Sequence, residues 1–478
     1  MTRADVILRA AKDVLFASFV ALLAGCSVGP DYVRPDAPVP QAFKETQGWK
    51  PAEPRDAEVR GSWWETFGDP LLNQLEEQVS VSNQNVAAAE ARFRQAMALI
   101  GAARAQHFPT ITGDVSATRS RSSSGSNSAV ISRGVVTSRN AAINADWELD
   151  VWGRVRRTVE SNVAGAQASA GDLESARLSA QVQLAQSYFQ LRQLDTERRL
   201  LDDTVQALGV SLELTRNRYS AGVAAKVDVV QAQTLLKTTQ AQAIDLGVQR
   251  AQLEHAIALL AGKAPAELAI PPGALGALPP PAPVGLPSAL LERRPDIAAA
   301  ERRMAQANAQ IGVAKAAYFP QLTLSGTIGY QATSLANWFT APSRFWSVGP
   351  AVAATLFDAG LRKSQTEQAI ANYDATVATY RQTVLTALQD VEDNVAALRI
   401  LEEEAVVQRE ALEAARQTLE LTLNQYKGGV VSYLNVVTAQ TTALQNERTA
   451  VDLQSRRLQA SVLLVRALGG GWSPRAAR

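Results

Sequence analysis

The sequence predicts an α+β chain built from two copies of one structural unit, each containing long helices and a β-hairpin. The first observation is a repeat, because a shift of 207 positions places residues 214–234 on residues 421–441, with Tyr219 on Tyr426. The second is a change from helical spacing to strict alternation, once in each half of the chain. The third is a stretch of about 100 residues without proline after each alternating segment. Such internal similarity indicates two copies of one supersecondary unit.

The 478 residues carry 47 basic and 46 acidic side chains, so the net charge is close to zero. A protein built to hold nucleic acid normally presents a basic face, and the charge balance argues against that class. Alanine, glutamine, leucine, valine, arginine and glutamate dominate much of the chain, which is typical of long helices.

The N-terminus has the pattern of a processing signal. Basic residues precede the apolar run Val14–Ala24, which is too short to span a bilayer. The run leads to Leu23-Ala-Gly-Cys26, which resembles the bacterial lipobox, in which the cysteine is lipid-modified and becomes the new N-terminus. Cys26 is the only cysteine, so a disulfide framework and a cysteine zinc cluster are both excluded. Ser27 follows it, as in lipoproteins that are sent to the outer membrane.

The predicted organisation has six segments. They are a signal peptide (1–25), a proline-rich lipid-anchored tether (26–62), a first repeat (63–262) with a hairpin at about 109–152 and a helical turn at about 219–228, a proline-rich linker (263–290), a second repeat (291–470) with a hairpin at about 320–358 and a turn at about 426–435, and a C-terminal tail (471–478). Within the first repeat, Asp69-Pro70 starts a helix that the spacing extends from Leu71 through Ile100.

The alternating segments predict four strands in two hairpins. The first insert is the longer, because Phe108 to Gly153 spans 45 positions and Phe319 to Gly360 spans 41. A soluble sheet packed on helices would show the same alternation as strands that enter a membrane, and the pattern leaves both open.

The proline-free stretches predict two helical hairpins with arms of roughly 50 to 100 Å at 1.5 Å per residue. Alanines such as Ala180 and Ala185 suit the inner stripe of a close helix pair. Charged side chains nearby suit a solvated face, namely Arg192, Asp195, Glu197, Arg198 and Arg199.

If the strands do enter a membrane, the architecture is constrained further. A four-stranded sheet in lipid would leave two edges of unpaired backbone groups, each costing several kcal/mol, so the barrel must close across subunits. Eight strands would fill with side chains, whereas the twelve strands of a trimer could enclose water. A tunnel is the consequence.

Several stretches match a known family. They are the lipobox, Trp63-Trp-Glu-Thr-Phe-Gly-Asp-Pro-Leu71, Arg293-Arg-Pro-Asp-Ile297, Ile311-Gly-Val-Ala-Lys-Ala-Ala-Tyr-Phe-Pro320 and the two Tyr-x-x-Gly turns. Over nearly the whole chain after the signal peptide, the sequence resembles the TolC family of outer-membrane efflux channels, in the lipoprotein branch that works with RND-type pumps.

The resemblance implies a homotrimer with a twelve-stranded outer-membrane β-barrel, four strands per chain, continuous with a long periplasmic α-helical barrel. It also implies a passive exit duct for drugs or other small molecules, such as antibiotics. The partners would be a periplasmic adaptor, an inner-membrane RND transporter and outer-membrane lipid, and no nucleic acid.

The resemblance also implies roles for residues at the helical turns, which would form the periplasmic tip. Tyr426 and Asp228 occupy positions of contacts between hairpins that keep the tip closed, and Leu434 lies at an apolar constriction. Relatives often carry acidic residues at the positions of Asn435 and Thr438, so the neutral residues here weigh against an anionic ring.

Simpler interpretations of the residues at the turns, and of the tryptophans, are also consistent with the sequence. Gly222 and Gly429 permit left-handed turns in any helical hairpin. Tyr219 and Tyr426 could be packing residues under the turns, and Asp228 could be a solvated carboxylate at a helix start. The tryptophans could be ordinary core or, on barrel strands, a membrane-interface belt, namely Trp147, Trp152, Trp338 and Trp346.

No motif of catalysis or of cofactor or metal binding is present in the sequence. The two histidines, His107 and His255, stand apart, and there is no metalloprotease motif, phosphate-binding loop or nucleophile elbow. We therefore expect neither an enzyme nor a dedicated cofactor or metal site. The alternatives to a drug-exporting channel are a periplasmic coiled-coil scaffold lipoprotein without a pore, and the same channel serving metal-ion efflux.

Overall fold

A computed structural model of the chain describes residues 28–36, 62–121, 135–276 and 294–470. These residues form two compact units, one within 1–36, 93–169 and 300–380 and the other within 37–92, 170–299 and 381–478. In chain order the elements are α1 (Pro70–Ser82), α2 (Gln84–Ala105), β1 (Thr110–Arg121), β2 (Val135–Glu148), α3 (Arg154–Ser220), α4 (Lys226–Leu260), α5 (Pro295–Ala316), β3 (Gln321–Ala332), β4 (Arg344–Ala353), α6 (Leu361–Lys427) and α7 (Tyr433–Ala467).

The two copies match element by element. Helices α2 and α5 have 22 residues each, α3 and α6 have 67 each, and α4 and α7 have 35 each. Strands β1 and β3 both have 12 residues, whereas β2 has 14 and β4 has 10. The predicted repeat is therefore confirmed, and the longer strand lies in the first copy's insert.

In the first unit the four strands form one antiparallel sheet in the order β1-β2-β3-β4. The two predicted hairpins are present, and they are joined because β2 pairs with β3, with Ile143 opposite Ile328. Strands β1 and β4 are the sheet edges. Each copy of the repeat thus contributes half of a single sheet.

The alternation gives this sheet one apolar and one polar face. The register aligns Val115, Ala141 and Tyr330 on the apolar face. On the polar face, Asn144 donates a hydrogen bond of 2.9 Å to Asp114 and accepts one of 2.9 Å from Thr327. Side chains on the polar face therefore link three strands.

Two of the four tryptophans lie on strands, and two do not. Trp147 is on β2 and Trp346 is on β4. Trp152 follows β2, stacks on Phe319 with ring centroids 4.9 Å apart and donates to the Pro320 carbonyl oxygen. Trp338 follows β3.

Residues 28–36 of the predicted tether dock onto helices of the first unit. Arg157 donates to the Asp31 carboxylate at 2.9 Å, and Asn308 donates to the Pro30 carbonyl at 3.0 Å. Gly29, at φ 110°, lies so close to the backbone of Gly312 that a Cβ atom would be 2.6 Å from the Gly312 Cα. This part of the tether is thus held by specific contacts.

In the second unit, α1 begins as predicted, because the Asp69 carboxylate accepts hydrogen bonds from the Leu71 and Leu72 amides and Pro70 is the first helical residue. The prediction of one helix from Leu71 through Ile100 is wrong. Asn83 is extended and separates α1 from α2.

The side chain of Asn83 explains that break. Its Oδ1 accepts from the amides of Asn85 and Val86, capping α2, and its Nδ2 donates to the Leu260 carbonyl at 2.8 Å. An asparagine side chain can compete with the backbone for hydrogen bonds in this way and end a helix. The spacing of apolar residues does not indicate such a break.

The prediction of a solvated charged face on α3 is wrong for three of its five residues, because Arg192, Asp195 and Glu197 are buried. The Asp195 carboxylate accepts from Arg192, from Arg250 of α4 at 2.7 Å and from the Gly273 amide. Burial of these charges is possible because they pair with one another and with backbone groups of the segment that follows α4.

None of the helices within the described ranges combines the length and apolar character that crossing a membrane requires.

Candidate functional site

The two helical hairpin turns lie in the second unit and have the same backbone geometry. Gly222, between α3 and α4, has φ 73° and donates its amide to the Tyr219 carbonyl oxygen. Gly429, between α6 and α7, has φ 77° and donates to the Tyr426 carbonyl oxygen. The predicted left-handed glycines are confirmed at both turns, where a side chain would be strained.

All four helices of the two hairpins meet in one apolar core just before these turns. We call it the tip cluster. Its buried members are Leu208, Leu212, Ala232, Leu236, Tyr426, Tyr433 and Val436. The cluster joins the first hairpin to the second within a single chain.

Tyr219 and Tyr426 occupy equivalent places in the repeat but have opposite surroundings. Tyr426 is 3% exposed and packs edge-on against Tyr433, with ring centroids 5.2 Å apart, whereas Tyr219 is 46% exposed. The repeat explains the difference, since Tyr433 is replaced by Lys226 in the first copy. Tyr219 therefore has no aromatic partner of this kind in its own turn.

Arg218 bridges the two turns. Its guanidinium lies over the Tyr426 ring, 4.9 Å from the centroid, and its Nη1 donates to the Lys427 carbonyl oxygen at 3.0 Å. The first contact is a cation–π interaction, and the second uses a carbonyl left unpaired at the end of α6.

Tyr433 makes a second link between the hairpins. Its hydroxyl group shares a hydrogen bond of 3.0 Å with the Ser211 hydroxyl on α3. Burial raises the pKa of the Tyr433 hydroxyl group, which keeps it protonated and able to donate. The side chain is fully buried, so its hydroxyl group depends on partners inside the protein rather than on water.

Asp228 and Asn435 occupy the third position of α4 and α7, respectively. The Asp228 carboxylate accepts from the Ala225 amide at 3.3 Å, within its own turn. The Tyr426 hydroxyl group has no hydrogen-bond partner in the described part of the chain. Within one chain, therefore, Asp228 and Tyr426 are not hydrogen-bonded to each other.

The surface of the two turns is largely apolar. Val223 of the first turn is 64% exposed, Val430 of the second is 76% exposed, and Leu434 is 56% exposed. Asn435 is also exposed, and Asp228 is partly exposed.

Sequence reasoning missed Arg218, Ser211 and Tyr433, which carry the links between hairpins. A signal was available, because the repeat breaks at two of these positions. Gln425 stands where Arg218 would be expected in the second copy, and Lys226 stands where Tyr433 would be expected in the first. Cys26 lies outside the described residues.

Comparisons with known proteins agree with this architecture. Residues 75–263 and 286–470 match a family described as outer membrane efflux protein. The pyoverdine export outer membrane protein OpmQ of Pseudomonas aeruginosa is 31% identical over 468 residues, covering 96% of this chain and 97% of its own. The toluene efflux pump outer membrane protein TtgC of Pseudomonas putida is 30% identical over 454 residues, covering 94% of each.

Among solved structures, the outer-membrane channel OprN superposes with a TM-score of 0.85 at 33% identity, covering 94% of this chain and all of its own. The shared fold is a trimeric channel to which each chain contributes a four-stranded sheet and long helices. With matches over both repeats and nearly the full length of its relatives, the chain belongs to the outer membrane efflux protein family.

Proposed function

We propose that this outer-membrane efflux channel is the exit duct of a three-part pump that expels small organic molecules. Relatives are named for export of pyoverdine and efflux of toluene, which supports a siderophore or solvent-like substrate class. An inner-membrane RND transporter would supply the energy and a periplasmic adaptor would join it to the helical turns. The duct itself needs only to open and close.

The observation that carries this proposal is the pair of links between hairpins at the turns. Two residues of the first hairpin contact the second. Arg218 contacts Tyr426 and Lys427, and Ser211 shares a hydrogen bond with Tyr433. Opening a helical tube at its end requires hairpins to move apart. We therefore propose that these contacts hold the closed state.

Some residues predicted at the turns make no hydrogen bond between the two hairpins of one chain. We propose that these residues act between chains. Tyr219, Leu434 and Asn435 are exposed, and the hydrogen bond that the Asp228 carboxylate accepts comes from its own turn. In a trimer the turns of neighbouring chains converge, and these side chains would meet there. Leu434 supplies an apolar ring in this proposal, and Asp228 is the acidic group, because its repeat partner Asn435 is neutral.

The experiment is conductance of the purified trimer in planar bilayers. Arg218→Gln removes the contact with Tyr426 and the bond to the Lys427 carbonyl group, and we expect a larger mean conductance than in wild type. Arg216→Gln is the matched control, because Arg216 is exposed on the same helical turn and has no interaction partner among the described residues. Equal conductance in both variants would contradict the proposal that Arg218 holds the closed state, and a protein that never conducts would favour the pore-free scaffold.

The exposed valines of the turns are the proposed contact with the adaptor. A photo-crosslinking residue at Val223 or Val430 should capture the adaptor in cells, whereas one at Val248, 58% exposed on α4, is the control. Equal capture at Val248 would place the docking surface elsewhere.

We also propose that Cys26 carries the lipid that anchors the mature N-terminus in the outer membrane. Labelling with palmitate should disappear in Cys26→Ser. Persistent labelling would refute the assignment.

A further inference from the structure

The apolar face of the four-stranded sheet carries a group of arginines at one end. Alternation and register place Arg119, Arg121, Arg139 and Arg344 on the same face as Ile143 and Trp346. Arg119 opposes Thr137, so Arg139 is its diagonal neighbour across the β1–β2 pair. Arg344 opposes Tyr330 on β3.

These arginines are confined to half of the sheet. Each lies toward the ends of the strands that are joined by the hairpin connections, away from the ends where the chain passes into α3 and α6. The opposite half of the same face carries Ile111, Trp147, Leu322 and Val352. From Arg139 to Trp147 is about 26 Å along the strand at ~3.3 Å per residue, enough for most of a bilayer's apolar thickness.

Acidic side chains are absent from this face within the described strands. The three strand carboxylates, Asp114, Asp146 and Glu148, all lie on the polar face. Arg119, Arg121 and Arg344 are exposed and have no ion-pair partner among the described residues, and Arg139 donates to the Thr333 carbonyl oxygen. The arginines thus present unneutralised positive charge beside an apolar surface.

Aromatic rings accompany them. Trp346 is 70% exposed and is the next residue after Arg344 on the same face of β4. Phe339 packs on both Tyr330 and Trp338. Exposed aromatic rings beside basic side chains are typical of a membrane interface, where rings lie at headgroup depth and cations meet lipid phosphates.

We propose that this arginine group binds the phosphates of lipid headgroups in the outer leaflet of the outer membrane. The face points toward lipid in a barrel whose polar face lines the lumen, and the hairpin end is the end away from the helices. A phosphorylated glycolipid fits because its acyl chains would cover the apolar rows while its phosphates reach the guanidinium groups. Guanidinium groups bind phosphate through paired hydrogen bonds.

The test measures binding of bisphosphorylated lipid A to the purified trimer by native mass spectrometry. The variant carries Arg119→Gln, Arg121→Gln and Arg344→Gln together. A basic residue near an anionic surface contributes a factor of about five, so three arginines together contribute up to about a hundredfold, and we expect the triple variant to bind at least about tenfold more weakly. The control carries Arg92→Gln, Arg199→Gln and Arg409→Gln, three exposed helix arginines, and has the same net charge.

Two further ligands separate the sources of binding. Enzymatically dephosphorylated lipid A should bind wild type as weakly as the triple variant binds intact lipid A, and inorganic phosphate should not displace the lipid. Equal binding with and without lipid phosphates, equal loss in the control variant, or full displacement by inorganic phosphate would each overturn the proposal. Size-exclusion chromatography and conductance on the same samples establish that the variant is a folded channel, so the result is independent of the export proposal.

Discussion

At the scale of single residues, Asp195 is a charged residue that the sequence pattern predicts to be solvated but that lies in the interior. Its carboxylate is only 3% exposed and is shared by Arg192, Arg250 and the Gly273 amide. Arg192 in turn lies over the Tyr188 ring and donates to the Pro271 carbonyl oxygen at 2.7 Å. One carboxylate thereby fastens α3, α4 and the segment after α4 together.

Asp195→Asn should destabilise the protein strongly. The amide keeps the shape but removes the negative charge, leaving Arg192 buried without its counter-ion, a change that costs roughly 3–5 kcal/mol. The measurement is the midpoint of heat-induced trimer dissociation. Asp202→Asn is the control, because the side chain of Asp202 is 49% exposed in its pair with Arg198 and should contribute less than about 1 kcal/mol. Similar midpoints for the two variants would contradict the network.

Gly222→Ala and Gly209→Ala should change stability in opposite directions. Neither glycine has an atom within 4 Å of an added Cβ, so only backbone conformation differs. Gly222 has φ 73°, and alanine there should cost about 1–2 kcal/mol. Gly209 is inside α3, where alanine should stabilise by about 0.5–1 kcal/mol. Denaturation midpoints that shift in the same direction would show that the turn geometry is misassigned.

At the scale of elements, periodicity and proline placement were enough to predict four strands, two long helical hairpins and the position of both turns. Those features depend on local spacing, which one sequence displays directly. The break at Asn83 and the burial of Asp195 were missed because each depends on a partner distant along the chain, Leu260 and Arg250 respectively. The different burial of Tyr219 and Tyr426 was missed for the same reason, since it depends on Tyr433.

Helix α1 contains a carboxyl group whose environment makes stability depend on pH. Glu76 is fully buried, and neither of its side-chain oxygens has a hydrogen-bond partner in the described part of the chain. Burial raises the pKa of Glu76 well above its ordinary value. The folded state therefore holds this proton more tightly than the unfolded state, and stability falls as pH rises from the unfolded pKa to the folded one.

Glu76→Gln should consequently raise the heat-dissociation midpoint at about pH 8 and leave it near wild type at about pH 3, where Glu76 is protonated in both states. Glu77→Gln is the matched control, because Glu77 is the exposed neighbour on the same helix. A midpoint for Glu76→Gln below that of wild type at pH 8 would mean that the carboxylate has a stabilising partner in the trimer.

At the scale of the whole molecule, the sheet separates its charges by face. Within the described strands, carboxylates lie on the polar face and arginines concentrate on the apolar face at the hairpin end. If the polar face lines the lumen of the trimeric barrel, as proposed above, three copies of each carboxylate surround the permeation path. Ions would then meet fixed negative charge in the barrel as well as at Asp228 of the turns.

Replacing both Asp114 and Asp146 with asparagine should therefore reduce the preference of the channel for cations. Asp114 is held toward the polar face by Asn140 at 3.0 Å and Asn144 at 2.9 Å, and Asp146 accepts from Ser325 at 2.9 Å, so asparagine preserves the shape while removing charge. The reversal potential in a potassium chloride gradient should move toward zero, because fixed charge in a pore attracts counter-ions. Arg344→Gln removes one charge per chain, where the aspartate variant removes two, but it does so on the proposed lipid-facing side and should leave the potential unchanged. An unchanged potential in the aspartate variant would mean that selectivity is set elsewhere along the duct, whereas a shift in Arg344→Gln would mean that the two faces are assigned the wrong way round.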